Sequence, residues 1–153
     1  MIVGQRHSNK AEAIEYEQNL LETSNTAPLS GRVHWLGRRA DVPQLMREST
    51  LVLHLAKQEP LGRVLLEAAA SGAVVVATEV GGTSEIFQAA DDEVAARLIL
   101  PDDATDTAAT IRALLADDEL CRQLGKSARS RAVEQFSANQ SAEALLGHYH
   151  AVR

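Results

Sequence analysis

Apolar residues in this chain form short runs separated by stretches where they recur every three or four positions, the alternation that parallel α/β sheets produce. "MIVG" (1–4) is an apolar run closed by glycine and predicts a strand. From 9 to about 23, Ala13, Tyr16 and Leu20 stand at helical spacing and predict the helix that follows. "GRVHWLG" (31–37), glycine-bounded and β-prone, predicts a second strand, and "DVPQLMREST" (41–50) a short helix capped by Asp41 with Pro43 in its first turn. "TLVLHLA" (50–56) is almost continuously apolar, as a strand covered on both faces must be. After a loop at 57–62, a helix is predicted over 63–71, Gly72 ends it, and "AVVVAT" (73–78) is the next buried strand. "QAADDEVAA" (88–96) reads as a polar surface connection. A weaker strand, "ARLILP" (96–101), then leads into helices at about 103–116, 117–134 and 138–152.

Strand and helix in alternation with short connections imply a doubly wound parallel α/β sheet, Rossmann-like, with a C-terminal helical tail. Ligands of such sheets bind outside the carboxyl ends of the strands, so the loops at 57–62 and 78–83 fall on the functional rim. At 153 residues and 45% hydrophobic content the chain suits one domain, without internal repeat or linker. The net charge of −6, with no basic cluster interleaved with aromatics, argues against nucleic acid as a partner. No stretch approaches the roughly 20 apolar residues of a membrane span, and the N-terminus lacks a signal-peptide core. The chain therefore reads as soluble and cytoplasmic, membrane-peripheral at most within a longer enzyme. The single Cys121 excludes an internal disulfide and reads as a small apolar helix residue. His7, His34, His54, His148 and His150 share no ligand spacing, so no metal site is expected. His54 is expected as a buried or rim histidine satisfied by backbone, with pocket lining as the alternative that its place near the strand end allows, Trp35 as a core residue, and the acids at 91–93 and 117–119 as surface or helix-cap groups.

The informative stretch is "QEPLGRVLLEAAASG" (58–72), with two acids, Glu59 and Glu67, eight positions apart. Gly62 stands where the helix should begin, leaving the amides of Arg63 and Val64 without intrahelical partners and available to an anion. Pro60 stiffens the approach. Glu67 lies five residues beyond Gly62, about 7.5 Å along the axis, a reach from phosphate to sugar. An ionised carboxylate accepts through two oxygens and suits adjacent hydroxyls. Because Glu67 is flanked by residues that favour burial, a ligand or hydrogen-bond partner is expected for it. In "TEVGGTSEIF" (78–87), Gly81 and Gly82 allow close backbone approach and Thr83 or Ser84 can cap the next helix, giving a second wall to one crevice.

These blocks together resemble the C-terminal, donor-binding domain of the group 1 retaining glycosyltransferases of the GT-B fold. In "VHWLGRRADVPQLMRESTLVLHLAKQEPLGRVLLEAAASGAVVVATEVGGTSEIF", six family blocks follow in order: V-x-F-L-G, D-V-x-x-L, E-x7-E, E-A-x-A-x-G, V-V-A-T and G-G-x-x-E. "DDELCRQLGKSARSRAVEQFS" is similar to the helical tail that closes that domain. The resemblance implies that Glu59 is the catalytic-site acid touching hydroxyls of the transferred sugar, and that Glu67 binds the ribose. It also implies that Pro60, Leu61, Gly62, Arg63 and Val64 meet the diphosphate or sugar, that Gly81, Gly82 and Thr83 border the pocket, and that Gly37 and Arg38 lie near the base.

The implied reaction is transfer of a hexose from a nucleoside diphosphate, with retention, to an acceptor glycan, lipid or small molecule. Neither a metal nor a cofactor is implied. The usual P-S before E-x7-E is here Leu55-Ala56, and the proline of G-x-P-V-V is Val74. "MIVG" resembles the second strand of the family domain, so the first strand, its diphosphate-binding Arg and Lys, and the acceptor-binding N-terminal domain are expected to lie outside these residues, leaving the chain alone inactive. Two alternatives stand beside this reading: a truncated, non-catalytic remnant or interaction module, and a nucleotide-sugar epimerase relative.

Overall fold

A computed structural model describes residues 1–88 and 94–151. The chain clusters into two compact units, Met1–Val42 and Pro43–Arg153. In the first, the two predicted strands meet as a single parallel bridge, Ile2 opposite Trp35. Its backbone bonds run from Ile2 N to His34 O (2.8 Å), Leu36 N to Ile2 O (2.9 Å) and Gly4 N to Gly37 O (2.8 Å). Helix α1 (Ala11–Asn25) follows the loop at the sequence-predicted place. Arg6 Nε meets Glu17 Oε2 at 2.9 Å, tying that loop to α1. Trp35, expected in the core, is only half-buried. Its indole N–H donates to the buried Ser24 hydroxyl at 3.1 Å, because a ring with a polar edge settles where that edge finds an acceptor.

The second unit carries α2 (Val42–Glu48, whose first residue lies at the boundary), β1 (Val52–His54), α3 (Arg63–Ala70), β2 (Val75–Thr78), α4 (Thr83–Phe87), β3 (Arg97–Ile99), α5 (Ala104–Leu115), α6 (Asp118–Gln135) and α7 (Ala138–Ala151). The three strands form a parallel sheet in the order β1-β2-β3 flanked by helices, the α/β architecture expected. Val52 pairs with Val75 and His54 with Ala77, while Thr78 pairs with Ile99. The central strand β2 is buried at all four positions. Val74, Val76, Ile99, Leu114 and Leu124 form a core cluster against which Leu51, Leu120 and Cys121 pack, so Cys121 behaves as the small apolar helix residue predicted.

Helix ends are secured from the side. Asp103 accepts from Asp106 N at 2.8 Å to cap α5, and Asp117 from Leu120 N at 2.9 Å to cap α6. At the opposite ends of α3 and α4, α6 supplies the partners: Arg129 bonds Ala70 O. Arg131 reaches Ile86 O (2.6 Å), Glu85 O (3.0 Å) and Gln88 O (2.6 Å), where cations favour the negative helix terminus. Helix α6 lies so near the end of α3 that a Cβ on Gly125 would sit 2.6 Å from Gly72 O.

Three further expectations change. Asp41 does not cap α2: Arg39 takes both its carboxylate oxygens, at 2.8 and 2.7 Å, a fork-to-fork pairing. Strand β1 is the edge of its sheet and is not covered on both faces, since Leu53 and Leu55 are about half-exposed. Of the stretch 88–96, Gln88 pairs with Val94 in an antiparallel bridge, and Ala95 and Ala96 are buried, not on the surface. Residues 89–93, with the acids at 91–93, lie outside the described residues. No described helix is long and apolar enough to cross a membrane.

Candidate functional site

Because β1 and β2 are parallel neighbours, the loops leaving their carboxyl ends lie side by side. The first, residues 55–62, turns into α3 through Gly62, whose φ of +73° favours glycine. Leu65 N and Leu66 N donate to Gly62 O at 2.9 and 3.0 Å, starting the helix. Gly62 offers no side chain to cap the amides of Arg63 and Val64 ahead of them. Arg63 and Val64 are exposed, as are Pro60 and Leu61 before the turn, so an anion can approach these amides from solvent.

Glu59 is held at both oxygens. Oε1 accepts from Gly62 N at 2.7 Å and Leu61 N at 3.3 Å, while Oε2 lies 2.9 Å from His54 Nε2 at the end of β1. The Gly62 amide, chiefly, holds the carboxyl below its ordinary pKa; partial burial opposes this, and His54 and Leu61 add to it. Glu59 is thus an anion fixed on a half-buried rim. Its main chain does separate work: Glu59 O accepts from Gly82 N at 3.3 Å. Gly81, at φ +53°, lies so close that a Cβ there would be 2.0 Å from the same oxygen. The double glycine therefore lets the two loops touch.

The other predicted residues divide. Glu67, expected to be embedded, is exposed, because Leu65, Ala68 and Ala69 define the buried face of α3 and position 67 lies across the helix from it. Among the described residues no ion pair engages it, which leaves both its oxygens to solvent or a ligand. Thr83 departs from its expected place on the pocket border. It is fully buried, its amide (3.2 Å) and hydroxyl (2.7 Å) both donate to Val80 O, and it tightens the turn from within. Neither Thr83 nor Ser84 caps α4: Gly82 holds the N-cap position, and the Ser84 hydroxyl reaches Glu79 Oε1 at 2.9 Å. Gly37 and Arg38 belong to the first unit, where Gly37 has φ +59° and Arg38 is exposed.

Beyond the three strand ends opens a cleft of about 390 Å³ with an apolar floor that includes Leu55, Leu100, Pro101 and Ile111. Lys57 and Asp102 pair across exposed surface beside it at 3.0 Å. Among the described residues no group of three His, Cys, Asp or Glu could hold a metal ion. His54 stands on the rim as expected, but its partner differs: its ring meets Glu59 and not a backbone group. The available signal was its position, the one polar residue in an apolar strand, at that strand's carboxyl end.

The family model for glycosyl transferases group 1 matches residues 1–131. The chain is 35% identical over 121 residues to the N-acetyl-alpha-D-glucosaminyl L-malate synthase of Bacillus anthracis, covering 79% of this chain and 31% of that protein. It is 34% identical to the alpha-maltose-1-phosphate synthase of Mycolicibacterium smegmatis, covering 72% of this chain and 30% of the other. Among solved structures, Anabaena HepE in complex with UDP superposes with a TM-score of 0.81 at 31% identity, over 95% of this chain and 40% of HepE. HepE has also been solved with UDP-glucose. The chain spans about a third of the length of these curated relatives.

Proposed function

Since this chain belongs to the group 1 glycosyl transferases, we propose that it binds a nucleoside-diphosphate sugar at the rim formed by residues 59–67 and 81–82, as the donor half of a retaining hexosyltransferase. The observation that carries this reading is the juxtaposition at the start of α3. Uncapped amides at Arg63 and Val64 suit a diphosphate, fixed Glu59 lies on one side, and exposed Glu67 lies about 7.5 Å along the helix from Gly62. Glu59 takes hydroxyls of the sugar, and Glu67 takes the paired hydroxyls of the ribose, which a two-oxygen acceptor fits. HepE, whose structures hold UDP and UDP-glucose, supports a nucleotide sugar as the ligand class.

Chemically, the residues at this rim can bind, orient and stabilise charge. As the bond between the anomeric carbon and the diphosphate breaks, negative charge grows on the leaving phosphate, and oriented amides aimed at it lower the barrier. Fixed Glu59 sets the sugar's angle to that bond. The acceptor, a glycan, lipid or small molecule, is assigned to an N-terminal domain of the GT-B type, so turnover requires that domain. Calorimetric titration of UDP, GDP and ADP into the wild type and Glu67→Ala tests the assignment. One nucleotide should bind the wild type, with the substitution weakening it about tenfold, as loss of a charged hydrogen-bond acceptor does. Equal affinity in both proteins, or no binding at millimolar nucleotide, refutes it.

A further inference from the structure

We propose that His54 is a positioning residue for the sugar: it fixes the plane of the Glu59 carboxylate so that one acceptor position on Oε2 faces the ligand. The inference rests on the donor-site reading above and adds a residue to it. An ionised carboxylate offers about four acceptor positions, two on each oxygen. Gly62 N and Leu61 N occupy those on Oε1, at 2.7 and 3.3 Å, and His54 Nε2 takes one on Oε2 at 2.9 Å. A single position remains, on Oε2, and a sugar hydroxyl is a donor suited to it.

The two amides alone cannot fix that position. Both bind the same oxygen, and the terminal torsion of a glutamate side chain is broad, so the second oxygen could swing while the first stays anchored. His54 removes that freedom, and its own place is rigid because it ends β1 in register with Ala77 of the buried central strand. To donate, the ring must carry its proton on Nε2, since a lone pair there would face an anion. The ring is half-buried, its side chain 23% exposed, so the bond is only partly screened by water.

The test uses the whole chain, the nucleotide among UDP, GDP and ADP that binds it, and the glucose conjugate of that nucleotide. His54→Leu should weaken the conjugate about tenfold, the size of a lost charge-assisted hydrogen bond, and leave the free nucleotide unchanged. His54→Gln, whose amide reaches the same place, should restore most of the loss. In a Glu59→Ala background, His54→Leu should have no further effect on the conjugate. Nitrogen-15 NMR of the wild-type imidazole, which needs no stability of any variant, should find Nε2 protonated. A loss shared equally by conjugate and nucleotide, a silent His54→Leu, failure of Gln to rescue, or a proton on Nδ1 alone overturns the role of His54 while leaving the nucleotide site standing. A wild type that binds none of the three nucleotides overturns the donor site itself, and this role with it.

Discussion

Glu59 joins two functions in one residue, an anion on its side chain and a docking point on its carbonyl, and each makes its own prediction. Gly81→Ala puts a methyl group 2.0 Å from Glu59 O at a φ that disfavours side chains. It should destabilise the chain by about 1–3 kcal/mol, as overpacking does, and weaken nucleotide-sugar binding by shifting the loop; denaturant melts and titration check both. The carboxylate has a pH signature. Its folded pKa lies below the ordinary 4.5, so the stability it contributes is fully present above that value and is lost as pH falls through the lowered one. The gap in melting temperature between wild type and Glu59→Gln should therefore be largest above pH 4.5 and close on acidification. That Glu59 would stand at a strand's carboxyl end beside the Gly62 turn was legible in the context around it. That His54 holds it was not, because hydrophobic patterning assigns a strand residue to a face but does not report which loop side chain folds back onto it.

Most helices were legible to within about two residues, since each carries its own period: α3 begins after Gly62, and Asp117, among the acids expected at surface or cap positions, caps α6. Strands came out shorter than their apolar runs. A run such as 50–56 states only that residues avoid water, whereas a ladder also needs a neighbour in register, and β2 supplies one for Val52–His54 alone. The contact of α3 with α6 was invisible for the same reason, although Gly125 marks it. Helix propensity alone favours Gly125→Ala by up to about 1 kcal/mol. The new methyl at 2.6 Å from Gly72 O reverses the sign, because a backbone oxygen cannot swing aside, and a net destabilisation of about 1–3 kcal/mol is expected by denaturant melting. Gly147→Ala in α7, with nothing within 4 Å, is the control and should stabilise slightly.

At the scale of the whole molecule, the matched length is the dominant fact: about three quarters of this chain aligns with about a third of each of these curated relatives. Binding can then be tested apart from transfer. A nucleotide present at a hundred times its Kd stabilises the folded state by about 2.7 kcal/mol. For a chain of this size that should raise the melting temperature by about 5–10 °C, and Glu67→Ala should show a smaller rise at the same concentration. Scanning calorimetry with and without nucleotide measures it.

The contact between Gly81 and the Glu59 carbonyl carries a consequence for descent. Because it engages the backbone of residue 59 and not its carboxylate, almost any side chain at that position preserves the seam between the two loops. Shape and chemistry are thus inherited separately here: a lineage can discard the acid and keep the architecture intact. Likeness of fold among such relatives measures common ancestry, and, on the donor role proposed for Glu59, the identity of residue 59 is the place to ask whether the ancestral trade is still practised.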